Sequence, residues 1–181
     1  MKPPEVRPSA VSHQYALYGE FVSGLGAAVE RLACGYEANE ARRQDLVQEI
    51  HVAIWRSFAS FDGRCSLRTW VYRVAHNVAV SHVLRDRKGG VKSLAGLEEI
   101  ENLADPVGIE HVVEQRHALD RLLELVRSLT PTDRQVILLY LEGEDAAGIG
   151  EVTGLSASNV ATKIHRIKKV LTSRFQGGSH G

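Results

Sequence analysis

Cysteine is scarce in this chain, with only Cys34 and Cys65 among 181 residues. Two thiols cannot build a disulfide framework or a four-cysteine zinc site. Long apolar runs are missing too: Val136–Leu141 is among the longest, far short of the roughly 18–20 residues that a membrane span requires. The opening MKPPEVRPS has no apolar stretch and does not read as a secretory signal. Net charge is absent, 22 basic residues against 22 acidic, so any contact with nucleic acid has to rest on local clustering. No segment alternates with period two, which removes the sheet-forming folds. What is left is a soluble, cytoplasmic chain whose 44% hydrophobic content suffices for a buried core.

The pattern that is present is helical. Three of the five prolines fall in the first nine residues, and none occurs from Ser9 to Asp105. In that proline-free stretch, Leu17, Phe21, Leu25, Val29 and Leu32 recur at spacings of three and four. Leu46, Ile50, Ile54 and Phe58 form a second stripe, and Leu67, Val71, Val74 and Val78 a third. Such spacing lays a continuous apolar face along a helix. Turn-like stretches at Gly35–Asn39 and Phe61–Ser66 separate the three, which predicts a small helical bundle. From Lys88 to Gly108 glycines and Pro106 break the pattern, and a linker of about 20 residues is expected. Periodicity returns with Ile109, Val112, Leu119, Leu122, Val126 and Leu129. Thr130-Pro131-Thr132-Asp133 then has the composition of a helix start, with a capping hydroxyl, an early proline and an acid at the positive end of the dipole. The fold class is all-α: two small helical domains joined by a flexible linker.

The C-terminal domain contains a helix-turn-helix over Asp145–Leu171. Gly154 suits a left-handed cap, Leu155 packs back, and Ser156 caps the next helix. Along that helix Val160, Ile164, Ile167 and Leu171 face inward, whereas Asn159, Thr162, Lys163, His165, Arg166 and Lys169 face outward. Five basic residues and no acidic one lie between Val152 and Gly181. A helix of this kind enters a major groove, its early polar residues reaching base edges and its later cations gripping phosphates. Gly150 falls where the two helices approach closely. Gly148 has no comparable reason to be there, although each glycine weakens a helix by about 1 kcal/mol relative to alanine.

Further motifs carry a resemblance. Asp45-Leu46-Val47-Gln48-Glu49 is followed by Trp55, by Phe61-Asp62-Gly63-Arg64 and by Ser66-Leu67-Arg68-Thr69-Trp70-Val71-Tyr72-Arg73-Val74-Ala75-His76-Asn77. This ordered set resembles region 2 of the extracytoplasmic-function (ECF) sigma factors of the sigma-70 family. Leu129-Thr130-Pro131, Arg134, Glu142-Gly143, Val160 and Lys163-Ile164-His165-Arg166 resemble region 4 of the same class. The resemblance implies a region 2 domain over 15–88 and a region 4 domain over 109–175; the proline-rich start reads as a disordered arm over 1–14, the lapse in periodicity as the linker over 89–108, and a disordered tail is expected over 176–181. It implies a transcription initiation factor that binds core RNA polymerase and directs it to promoter DNA. Asp45, Gln48 and Glu49 would dock on the clamp helices of the largest subunit, with the flap as a second polymerase contact. Arg64, Arg68, Trp70, Arg73, Asn77 and Ser81 would open and read the −10 element, with Tyr72 beside Trp70 placed to stack on unpaired bases. The loop Phe61–Ser66 would pocket a flipped base. The outward face of the last helix would read the −35 element. An anti-sigma factor is a further candidate partner, and neither a cofactor nor a metal is implied. A stretch and a single position depart from the family: Arg42-Arg43-Gln44 stand where many relatives carry acids, and Ala161 stands where a basic residue is common.

Charge is unevenly divided. Residues 1–90 hold 12 basic and 9 acidic side chains, 91–127 hold 4 and 8, and 128–181 hold 6 and 5. Neither domain is strongly basic, so unaided duplex binding should be weak and salt-limited. The acidic stretch Glu98–Glu124 is expected to shield the basic DNA-facing surface in the free protein. A linker of about 20 residues reaches ~66–70 Å, about two turns of DNA at ~34–36 Å each, so the two domains could occupy two promoter elements without touching. The alternative is a standalone helix-turn-helix regulator with an N-terminal sensing or dimerisation bundle. An enzyme is not expected: neither cysteine sits in a nucleophile motif, Gly24-Leu25-Gly26 follows no strand, and His111 and His117 are wrongly spaced for one helical face.

Overall fold

The structure, a computed structural model, describes residues 10–88 and 110–177. Among them are seven α-helices and one turn of 3-10 helix, with no strand. Helices α1 (Ala10–Cys34), α2 (Glu40–Ser57) and α3 (Leu67–Lys88) form the first bundle. Helices α4 (Glu110–Arg127), α5 (Pro131–Leu141), α6 (Ala146–Thr153) and α7 (Ala157–Gly177) form the second. The expected linker over 89–108 lies outside the described residues.

Local chemistry sets the helix ends. Asn39 caps α2 by accepting from the Arg42 amide at 3.1 Å. Ser66 caps α3 through the Thr69 amide at 3.0 Å. Thr130 and Asp145 do the same for α5 and α6, accepting from Asp133 and Gly148. Gly154, at φ +77°, closes α6 in the left-handed conformation, and Ser156 then caps α7. At the other terminus α1 starts at Ala10 and not after residue 14. The first turns are held to α2, since the Gln14 side chain donates to the Trp55 carbonyl at 2.6 Å. The last helix likewise runs on to Gly177.

The stripes of α1 and α2 are buried as expected, from Leu17 to Leu32 and from Leu46 to Phe58. Helix α3 differs. Its buried face is Val71, Tyr72, Ala75, His76 and Ala79, whereas Leu67, Val74 and Val78 are only half-buried. Ala75 and Ala79, too small to register in a stripe of large apolar residues, are wholly buried on this face, and α3 packs on both α1 and α2. Tyr72, expected at the DNA-facing surface, is wholly buried, with the Arg68 guanidinium 5.3 Å from the centre of its ring. In the second bundle Val136, Leu139, Ile149, Val160 and Ile167 make the core. Leu119 is exposed, because it precedes the point where α4 meets α7, marked by Arg121 donating to the Phe175 carbonyl.

The two bundles are not independent. Leu138 of α5 seats on Gly35 at the end of α1, so closely that an added Cβ would lie 2.5 Å from a Leu138 methyl. Arg127 donates to the Cys34 carbonyl at 2.9 Å, and the Arg134 guanidinium lies 5.2 Å from the centre of the Tyr36 ring. Beside this seat, α6 packs against α3.

Candidate nucleic-acid interface

Helices α2 and α3 bring two of the expected residue sets into one open groove. Asp45, Gln48, Glu49 and Val52 line one wall, and Asn77, Ser81 and Arg85 the other. Asp45, Gln48 and Asn77 are exposed, with amide and carboxylate groups facing solvent. Glu49 is paired with Arg85 across the groove. The Ser81 hydroxyl donates back to the Asn77 carbonyl at 2.8 Å, which fixes its rotamer and leaves the Asn77 side chain clear.

The other −10 candidates lie nearer the start of α3. Arg64 is exposed and pairs with Asp62 within its own loop. Trp70 is half-buried: its indole N–H donates to the Ser57 hydroxyl at 2.9 Å and its ring meets Phe61 edge-on. Trp70 is thereby a wall of the Phe61–Ser66 loop as much as a surface ring. Arg68 and Arg73 are exposed, and their guanidinium groups reach the second bundle, Arg68 to Glu144 and Arg73 to the Glu151 carbonyl. The hydrogen bond from Arg68 to Glu144 raises the guanidinium pKa further, against burial.

On α7, Asn159, Thr162, His165 and Lys169 are exposed on one side of the helix. The Thr162 hydroxyl donates to the Ser158 carbonyl. Lys163 and Arg166 are differently placed: both reach Asp133 at the start of α5, at 2.7 and 2.8 Å. Burial opposes ionisation of Asp133, but the Lys163 hydrogen bond and the two cations outweigh it and hold the carboxyl below the usual range. Asp133 thus fixes the angle between α5 and α7, a role its helix-start motif did not disclose. Gly150 meets its expectation, since a Cβ there would lie 2.7 Å from the Leu155 carbonyl oxygen. Gly148 gains a reason: a Cβ would lie 2.8 Å from a Glu144 carboxylate oxygen.

Two features had no signal in the sequence. One is the buried pair in which the Tyr36 hydroxyl and His76 Nδ1 share a hydrogen bond at 2.9 Å. Burial lowers the His76 pKa to about 3 and raises that of Tyr36. The other is the set of glutamates on and beside α6 that meets the α3 cations. The acids expected in that role were Glu98–Glu124, of which residues 98–109 lie outside the described residues.

Comparison with known proteins fits this geometry. Family models described as Sigma-70 region 2 and Sigma-70, region 4 match residues 21–89 and 119–171. The RNA polymerase sigma factor CnrH of Cupriavidus metallidurans is 28% identical over 177 residues, spanning 94% of this chain and 92% of its own. The ECF RNA polymerase sigma factor SigW of Bacillus subtilis is 24% identical over 147 residues, spanning 76% and 78%. CnrH solved with the cytosolic domain of CnrY superimposes with a TM-score of 0.67 at 22% identity, covering 93% of this chain and 92% of that one. The sigma factor RpoE solved with the anti-sigma factor NepR, from Bartonella quintana, gives 0.63 at 16% identity, covering 86% and 94%. Two helical domains with these motifs in this order define a sigma factor, a transcription initiation subunit that directs RNA polymerase to promoters. The chain belongs to the sigma-70 family, in its extracytoplasmic-function group. A sensing or dimerisation bundle is not favoured for the N-terminal half, which is sigma region 2. The family is one of non-enzymatic transcription factors, and no helix among the described residues is long and apolar enough to cross a membrane.

Proposed function

We propose that residues 15–88 hold core polymerase and the −10 element, that residues 109–175 hold the −35 element, and that 89–108 connect them. Asp45, Gln48 and Glu49 engage the clamp helices of the largest subunit, while the second domain meets the flap. Arg64, Arg68, Trp70, Arg73, Asn77 and Ser81 face the melted −10 strand. Asn159, Thr162, His165 and Lys169 face the −35 duplex, with Lys163 and Arg166 gripping phosphates beside Asp133. The observation that carries this reading is the α2–α3 groove, where exposed acceptors of α2 stand opposite the exposed Asn77 amide of α3. One wall suits a basic protein helix and the other a base edge, so polymerase and single strand can be held side by side. The protein works in the cytoplasm, with polymerase supplying most of the affinity for DNA. The similarity to RpoE, which was solved bound to the anti-sigma factor NepR, supports an anti-sigma factor as a further partner.

Run-off transcription tests it. Purified chain added to core polymerase and genomic fragments is expected to start discrete new transcripts, and Asn77→Ala to lower them about tenfold, the loss of one bidentate base contact at ~1–3 kcal/mol. Polymerase that neither captures the chain nor starts transcripts with it would overturn the reading.

A further inference from the structure

Apolar surface of the first bundle stands uncovered between α1 and α2. Tyr15, near the start of α1, is 64% exposed, and Val52 on α2 is 49% exposed. With Tyr18, His51 and Trp55 they line an open cleft of about 420 Å³. The cleft is preformed. The Tyr15 and Trp55 ring centres lie 4.8 Å apart, Tyr18 meets Trp55 edge-on at 5.4 Å, and the Gln14 side chain holds the Trp55 carbonyl. The Tyr18 hydroxyl and His51 Nδ1 share a hydrogen bond at 2.9 Å. Burial keeps the His51 pKa below its usual value, so the ring is uncharged at neutral pH. What the walls offer a visitor is chiefly carbon, in the form of aromatic faces held in place by one another.

The place of Val52 says what covers the cleft. Val52 is a wall of it and also a wall of the α2–α3 groove. Asp45, Gln48 and Glu49 precede Val52 on the same exposed face of α2, at the spacings of three, four and seven that bring side chains together on a helix. We propose that the cleft seats an apolar side chain of core polymerase, carried on the same basic helix that pairs with Asp45 and Glu49. The proposal rests on the reading of those acids as polymerase-facing. Asp45 and Val52 lie about 10 Å apart along the axis, roughly two turns. A helix laid along α2 with its cations against the acids therefore brings its own side chains over the cleft two turns further on. The two ends do different work. The carboxylates steer and orient a positively charged partner, an effect that salt screens. The aromatic walls bury the anchor, and because the rings are already packed, little freedom is lost when it enters. The first turns of α1 thereby become part of the polymerase-binding surface.

The test measures the affinity of the full chain for purified core polymerase at low and at raised salt. Tyr15→Ala is expected to weaken binding about tenfold and Val52→Ala about threefold. Each loss should be the same factor at both salt concentrations, since burial of carbon is not screened, whereas the loss in Asp45→Asn should shrink as salt rises. Should Tyr15→Ala lose helical circular dichroism, Val52→Ala, at an exposed helix position, decides alone. Unchanged affinity in Val52→Ala, or a loss that shrinks with salt, would overturn the proposal. So would a free chain that self-associates until Tyr15 or Val52 is changed while its polymerase affinity stays the same, because the cleft would then seat a second copy. A wild type that binds no polymerase would instead overturn the reading of α2 itself, whereas normal binding that neither variant alters would remove only the anchor.

Discussion

His76 shows how a single side chain sets a condition on the whole fold. Its ring is wholly buried between α1 and α3, with Nδ1 bonded to the Tyr36 hydroxyl and Nε2 meeting no hydrogen-bond partner. Burial disfavours the imidazolium, so the folded pKa falls from 6.5 to about 3. The unfolded chain takes up a proton near pH 6.5 that the native chain does not. Stability is therefore fully present above that value and is lost as pH falls from about 6.5 toward 3, at up to about 1.4 kcal/mol per pH unit. Urea denaturation between pH 7 and 5 should show that slope. His76→Gln, which carries no proton at either pH, should flatten it even if it is less stable throughout, and an unchanged slope would assign the effect to other groups. Nothing in the sequence separated this histidine from the other seven, because its burial depends on Tyr36, forty positions away.

At the scale of elements, glycines divide by what surrounds them. Gly150 faces the Leu155 carbonyl, so Gly150→Ala forces a methyl group onto backbone that cannot rotate away. It should cost about 1–3 kcal/mol and disturb the angle of the helix-turn-helix. Gly24, midway along α1, has nothing within 4 Å of its would-be Cβ, and Gly24→Ala should instead stabilise by about 0.5–1 kcal/mol. Thermal unfolding of both variants decides, and equal shifts would refute the packing account of Gly150. Gly150 and Gly154 were readable from order alone, as were the caps and the stripes of α1 and α2, because each depends on neighbours a few residues away. The stripe of α3 differs from its spacing for a related reason. Spacing rewards large apolar residues, whereas the buried face of α3 also holds the small Ala75 and Ala79 and the polar rings of Tyr72 and His76. The exposed acceptors of α2 and the outward face of α7 were legible, but the pull of Asp133 on Lys163 and Arg166 spans at least thirty positions and left no local mark.

At the scale of the molecule, two kinds of contact join the domains, and they should act as one unit. The charged contacts run from α3 and Arg31 to the glutamates around α6. The apolar seat is Leu138 on Gly35, with Arg134 stacked on Tyr36. Gly35→Ala places a methyl group 2.5 Å and 2.7 Å from the two Leu138 methyl groups. Leu138 is buried in α5 and has little space to yield, so the domains must shift apart or strain, at about 1–3 kcal/mol. Because both contacts span the same interface, whichever breaks first removes most of what holds the other. Gly35→Ala combined with Glu142→Gln should therefore cost less than the sum of the two single changes, by about 0.5 kcal/mol or more. Chemical denaturation of the four proteins measures that coupling, and scattering of each shows whether the chain has opened. Strict additivity would mean that the seat and the ion pairs close the molecule independently, and that losing one leaves the domains in place.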